Sequence, residues 1–187
     1  NMYHTVVIGG GCLGAATAIS LQKKLNKLGQ GEKVGLIEKA VLCAAESSRH
    51  SGIVRSANAD PDASMMASIS TKMWKNIREH WGIDMELDEF GAIWIAKKNS
   101  DGDNPAWTDL SKRMEKINLV FEEIDPDSAI QKCGTTLITD KDESYFYEPA
   151  AFQLDPSILR STLYEAIEEN GVELFEKTEV ETMVAAG

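Results

Sequence analysis

Apolar residues in this chain switch between two periods, and the switches mark out its elements. His4 to Gly9 is a short β-branched run that predicts a strand. From Cys12 to Leu28, Ala15, Ile19, Leu25 and Leu28 recur at helical spacing, and Gly29 supplies a stop. Lys33 to Glu38 returns to strand. Its centre, Val34-Gly35-Leu36-Ile37, is apolar throughout, as in a parallel strand buried on both faces. Ala40 to Ser48 is small and polar. Ala63 to Trp81 predicts one long amphipathic helix with Met66, Ile69, Met73, Ile77 and Trp81 on a core-facing stripe. Phe90 to Ala96 reads as a strand, with Ile93 and Ile95 on one face and Phe90, Ala92 and Trp94 on the other.

The second half follows the same rules. Asn99 to Pro105 is a run of turn residues, and Trp107–Ile117 and Pro126–Lys132 predict helices. Glu143 to Tyr147 predicts a strand. Asp155-Pro156 pairs an N-cap with proline at the first helical position, so Pro156 to Asn170 predicts a helix that ends at Gly171. Val172–Phe175 and Val180–Val184 read as closing strands.

Composition narrows the classes. A chain of 187 residues, 43% hydrophobic, has room for one domain or one domain and part of a second. A net charge of -11 argues against nucleic acid or an anionic membrane as partner. Acid clusters such as 84–89 and 122–125 read as solvated surface. Cys12, Cys43 and Cys133 lack metal-ligand spacing, so neither a metal nor a disulfide framework is expected. No apolar run is long enough for a bilayer span and no signal-peptide pattern is present, which makes a soluble cytoplasmic protein the default expectation. Asn1 ahead of Met2 reads as a cloning remnant, with Met2 the native start.

The chemistry is concentrated in Val6-Val7-Ile8-Gly9-Gly10-Gly11-Cys12-Leu13-Gly14 and in Glu38. Strand, glycine turn, helix, strand and acid together make a dinucleotide-binding unit. Gly9 allows the sharp turn, Gly11 lets backbone approach a pyrophosphate, and Gly14 lets the helix lie close to the strand. Unpaired N–H groups of the first helical turn, Cys12 and Leu13 among them, then face the phosphates. Cys12 reads as small packing, not as a nucleophile. Glu38 accepts from both hydroxyls of the adenosine ribose and repels a 2′-phosphate; Lys39 beside it joins the candidate cofactor contacts. A regular NAD-type domain continues with further βα units after the acid. This chain leaves for a long helix and a strand-rich excursion, which favours a flavin-type domain with a substrate-side insertion.

With the segment Ser47-Ser48-Arg49-His50-Ser51-Gly52-Ile53-Val54-Arg55, the opening motif resembles the amine-oxidising flavoprotein family that includes D-amino acid oxidase, sarcosine oxidase, glycine oxidase and dimethylglycine dehydrogenase. Phe90-Gly91-Ala92-Ile93-Trp94-Ile95-Ala96 resembles that family's substrate-domain strand. Leu154-Asp155-Pro156, Gly171-Val172 and Thr178-Glu179-Val180 resemble its return to the nucleotide fold. The implied fold is α/β: a Rossmann-like FAD-binding domain of the GxGxxG type, interrupted by part of an α+β substrate domain. The implied boundaries are 1–82 for the first part of the FAD domain, 83–150 for the partial insertion and 151–187 for the return, with the C-terminal half of the family fold absent.

The resemblance also assigns roles. Ser47, Ser48 and Arg49 match positions that contact the FAD pyrophosphate and ribityl region, where an arginine offers a forked contact to phosphate. Val180 matches a residue whose backbone holds the adenine edge. His50 falls near the flavin ring, either covalently attached, as in some relatives, or as a noncovalent neighbour. Arg55 matches a substrate-carboxylate anchor of some members; a surface or internally paired arginine is the alternative. The implied reaction oxidises an amine or amino acid by hydride transfer from the carbon beside nitrogen to flavin, giving an imine that water hydrolyses. Because family members are longer, this portion alone is expected to turn over little substrate. A shortened oxidase and a subunit completed by a partner chain both fit. An NAD-linked dehydrogenase domain and a non-catalytic nucleotide-binding subunit remain the competing readings.

Overall fold

The structure is a computed structural model that describes residues 3–58, 60–134 and 137–184. The expected start at Asn1-Met2 lies outside the described residues. In chain order the elements are β1 (Thr5–Ile8), α1 (Cys12–Lys27), β2 (Val34–Ile37), a 3-10 turn (Glu46–Ser48), β3 (Ile53–Val54), α2 (Pro61–Lys75), α3 (Ile77–Trp81), β4 (Ala92–Lys97), α4 (Pro105–Lys116), β5 (Glu122–Ile124), α5 (Pro126–Cys133), β6 (Glu143–Glu148), β7 (Phe152–Gln153), α6 (Pro156–Asn170) and β8 (Glu173–Phe175). They form two compact units. The first takes residues 1–52, 76–86 and 155–187, and the second 53–75 and 87–154. Residues 53–75, grouped with the nucleotide domain on sequence grounds, cluster with the second unit.

The first unit is a parallel three-stranded sheet in the order β1-β2-β8. Central β2 pairs on both sides, Val34 with Thr5 and Leu36 with Leu174, and Val34, Gly35 and Leu36 of its apolar run are buried while Ile37 is half-buried. Helices α1 and α6 pack on each other; Ala15, Ala18, Ile19 and Leu25 of α1 are buried, whereas Leu28 is exposed. Buried polar groups tie these layers together. Gln22 accepts the Val34 N–H at 2.7 Å and donates to Asn26 and to the Glu32 carbonyl. Asn170 donates to the Trp81 carbonyl at 3.0 Å, holding α3 to the end of α6. Asp155 caps α6 by accepting the Ser157 N–H, Pro156 follows at N1, and Gly171 at φ +79° closes the helix in the left-handed region.

The second unit is an antiparallel sheet in the order β4-β6-β5, with a β3-β7 ribbon in which Ile53 faces Gln153. Phe121 and Phe146 stack with ring centroids 5.4 Å apart, and Trp94 and Trp107 pack on them; Leu110 and Met114 bring in α4.

Two expectations are corrected. The helix foreseen over 63–81 breaks at Asn76 into α2 and α3. Its stripe splits: Ile77 and Trp81 of α3 are buried as expected, whereas Met66 is 73% exposed and Ile69 and Met73 of α2 are exposed as well. The buried side of α2 is small and polar. Ser64 exchanges hydrogen bonds with the Asn58 backbone, and Ser56 Oγ donates to Thr71 Oγ1 at 3.1 Å. Close approach to the 56–58 segment selects that side over the bulkier Met face. The strand foreseen at 180–184 is not formed, because no neighbouring strand among the described residues offers it a ladder. Among the described residues no helix is long and apolar enough to cross a membrane, and no group of three or more His, Cys, Asp or Glu is placed to hold a metal ion.

Candidate functional site

In a parallel sheet all strands end on one edge, and ligands bind outside those carboxyl ends. Here that edge carries Gly9 after β1, Glu38 after β2 and Glu176 after β8. Gly9 turns the chain at φ +105°, a conformation open to glycine, while its N–H stays bonded to the Ile37 carbonyl at 2.8 Å. Helix α1 begins three residues later. A Cβ on Gly14 would stand 1.8 Å from the Gly9 carbonyl oxygen, so helix and turn touch through bare backbone. Gly11 is the N-cap, with φ -74° and ψ 175°, and a Cβ there would meet Ser47 Oγ at 3.3 Å.

Glu38 lies across the bend. Its Oε2 accepts the Gly10 N–H at 2.7 Å and its Oε1 accepts the Ala40 N–H at 2.8 Å. A carboxylate has about four acceptor positions, so both oxygens keep capacity for ribose hydroxyls. Gly10 has its own reason to be glycine: a Cβ would come 2.8 Å from Glu38 Cβ.

Glycine at the N-cap brings no side chain to cap α1, and the cap comes from elsewhere in the chain. Ser47 Oγ accepts the Cys12 N–H at 2.9 Å. Its hydroxyl proton stays free to donate. The N–H groups of Gly11, Leu13 and Gly14 meet no acceptor among the described residues. Together with the positive end of the α1 dipole they make a ready cradle for a diphosphate. Leu13, 85% exposed, leaves the cradle open to solvent. These groups have the chemistry to fit the pyrophosphate of a dinucleotide.

The loop after Glu38 supports the bend from the side. Cys43 N–H donates to the Gly10 carbonyl at 2.8 Å from a left-handed φ of +56°. Burial, helped by the nearby Cys12 and Glu38, pushes the Cys43 thiol up to about 11. Burial also raises Cys12, which disfavours the thiolate at both positions. Lys39 is exposed.

The other expected contacts fall as follows. Ser48 Oγ donates to the Ala45 carbonyl at 3.1 Å and lines a cleft of about 520 Å³ with Arg160 and Tyr164 of α6. Arg49 and His50 are exposed, and His50 Nδ1 accepts the Gly52 N–H at 2.9 Å, leaving Nε2 uncommitted. Val180 is half-buried, and its N–H and C=O take no partner among the described residues. Arg55 belongs to the second unit. It is exposed, donates from Nη1 to the Ala57 carbonyl at 2.5 Å, and stacks its guanidinium 4.5 Å from the Trp94 ring centre.

Two carboxylates escaped the sequence reading. Glu148, fully buried, accepts the N–H groups of Ser56 and Ala57 and the Trp94 indole N–H. It therefore holds Ala57 and Trp94, the two residues Arg55 contacts. Strand parity offered a signal, since residue 148 shares the face of Phe146 in β6. Glu176 binds the Leu42 N–H at 2.7 Å and the Tyr164 hydroxyl. An acid after a strand is too common to have pointed to it.

The fold recurs in solved structures. L-proline dehydrogenase from P. horikoshii superposes with a TM-score of 0.80 at 20% identity, over 98% of this chain and 46% of its own. Glycine oxidase from Geobacillus kaustophilus gives 0.73 at 22% over 95% and 47%, and L-amino acid deaminase from Proteus myxofaciens 0.78 at 19% over 99% and 40%. The chain thus spans less than half the length of these proteins. No curated protein matches it. The family model described as FAD dependent oxidoreductase (DAO) matches residues 4–187. On that match over nearly its whole length, the chain belongs to the DAO family of FAD-dependent oxidoreductases.

Proposed function

We propose that this chain is the FAD-holding portion of an oxidoreductase that oxidises an amine or amino acid. The observation that carries the reading is the open bend, with the N–H groups of Gly11, Leu13 and Gly14 free and the Glu38 carboxylate bonded across Gly10. The bend and Ser47 hold the diphosphate, with Ser48, Arg49 and Lys39 at its margins. Glu38 holds the adenosine ribose and the Val180 backbone the adenine edge. Bound flavin supplies an acceptor for the hydride of a CH–NH donor. His50 stands beside the flavin ring, and Arg55 anchors the substrate carboxylate. Support for the substrate class comes from the neighbours' own names: a proline dehydrogenase, a glycine oxidase and an amino acid deaminase.

Strands β1 and β8 of the first unit and β4 and β5 of the second are edge strands among the described residues, and Val6, Ile8 and Ile95 are exposed on sheet faces. We read these open edges and apolar faces as places where further strands of the fold join. We assign those strands to the rest of the fold, in the same polypeptide or in a partner chain, and the present portion alone turns over little or no substrate. Titration of the purified chain with FAD, NAD and NADP tests the reading. FAD is expected to bind, with NAD weaker and NADP weakest because of the Glu38 charge. Tight NAD binding without flavin affinity contradicts it.

A further inference from the structure

We infer that Glu176 is a positioning residue that sets discrimination for the adenine base, through the segment that leads to Val180. The inference rests on the FAD reading above. After β8 the chain does not simply run on as a strand. Lys177 takes a left-handed φ of +53°, and its N–H donates to the Ala40 carbonyl at 2.7 Å. Thr178 N–H donates to the Glu38 carbonyl at 3.0 Å. Residues 177 and 178 are thus pinned to the residues that carry and follow the ribose-binding acid.

Glu176 locks this arrangement from its side chain. Its Oε1 accepts the N–H of Leu42 at 2.7 Å and the hydroxyl of Tyr164 on α6. Leu42 is fully buried, and the next residue, Cys43, holds the Gly10 carbonyl. One carboxylate oxygen therefore ties the exit of β8 to α6 and to the loop under the glycine bend. Burial works against its charge, but the Tyr164 and Leu42 hydrogen bonds and the Arg160 and Lys177 charges outweigh it and hold the carboxyl below its ordinary value. Beyond Thr178 no backbone hydrogen bond restrains residues 179–184 among the described residues. Among the described residues the tethers at 176–178 are therefore the backbone hydrogen bonds nearest to Val180, whose side chain is half-buried.

Val180 presents a free N–H and C=O. Adenine matches such a pair with its N1 acceptor and its amino donor. Hypoxanthine reverses both, with an N1 donor and a carbonyl oxygen. A backbone pair held in place rejects the reversed pattern, because each polar group would be left facing its like. A backbone pair free to move does not.

The test compares ADP with IDP on the whole chain by calorimetry. Wild type is expected to prefer ADP by about tenfold or more. Glu176→Ala should bring the two affinities to within about twofold, mainly by weakening ADP. Glu176→Gln, whose amide oxygen can accept the same two hydrogen bonds, should restore most of the preference. Should Glu176→Ala fail to fold, Tyr164→Phe removes one tether at little change in volume and should lower the preference about threefold. A preference as large as that of wild type in a folded Glu176→Ala, or in Tyr164→Phe, overturns the inference. So does an equal loss of ADP and IDP, which marks a general structural role. Wild type that binds neither nucleotide overturns the FAD reading itself and this inference with it.

Discussion

Glu38 lies so closely over Gly10 that each residue dictates the other. The carboxylate accepts the Gly10 N–H at 2.7 Å, and a Cβ on Gly10 would stand 2.8 Å from Glu38 Cβ and 3.0 Å from its Cγ. Gly10→Ala must therefore displace the acid, at a cost of about 1–3 kcal/mol in stability. FAD affinity should fall at least about tenfold, since the ribose contact moves with it. Removing the partner's Cβ as well, in Gly10→Ala/Glu38→Gly, should recover much of the stability but none of the affinity. Denaturation and FAD titration of the four proteins in the cycle check this, and additive stability losses would contradict it.

Glu148 is the structural counterpart in the second unit. Removing it strands the N–H groups of Ser56, Ala57 and the Trp94 indole. Glu148→Ala should cost on the order of 3 kcal/mol, and Glu148→Gln clearly less because the amide oxygen still accepts. Chemical denaturation measures both, with the near-ultraviolet signal of the Trp94 cluster as a local readout. An Ala variant as stable as wild type would refute the role.

His50 already uses Nδ1 to accept the Gly52 N–H, so a bond to flavin would have to form through Nε2. We expect noncovalent contact. Acid precipitation of the FAD-loaded chain should leave the flavin in the supernatant for wild type and His50→Ala alike. Flavin retained in the wild-type pellet and lost from it in His50→Ala would establish the covalent bond instead.

Four carboxyls are held below their ordinary values. Ser128 hydrogen bonds act on Asp125, those of Ser157 on Asp155, and those of Lys33 and Tyr3 on Glu173; at Glu176 partners outweigh burial. A carboxyl depressed in the folded state stabilises the protein above its unfolded value, and that contribution disappears as pH falls through the folded value. The melting midpoint should stay nearly flat from about pH 8 to about pH 6 and fall below roughly pH 4.5, modestly because most of these groups are exposed. A midpoint that rises on acidification would reverse the sign and contradict the assignment.

What could be read in the sequence was local. Strand period, glycine spacing and a terminal acid are carried by neighbouring residues, and β1, α1, β2 and the Asp155-Pro156 start of α6 appear where those patterns place them. What could not be read depends on distant partners. Ser47 caps α1 from 35 residues away, and Glu176 reaches Leu42 across 134. The Met stripe of α2 has helical spacing, yet Ser64, Ser68 and Thr71 are the residues that pack, because close approach favours small side chains. Residues 180–184 have strand-forming composition but no strand beside them.

Cofactor placement depends on whether the glycine bend holds a diphosphate, and Gly11→Val asks this with least disturbance to the fold. Gly11 has an extended backbone that any residue adopts, and a Cβ there meets only Ser47 Oγ, at 3.3 Å. FAD titration followed by flavin fluorescence should saturate for wild type, while Gly11→Val, with an unchanged circular dichroism spectrum, should lose about a hundredfold or more in affinity. A folded Gly11→Val chain that binds FAD as wild type does would contradict the placement of the cofactor.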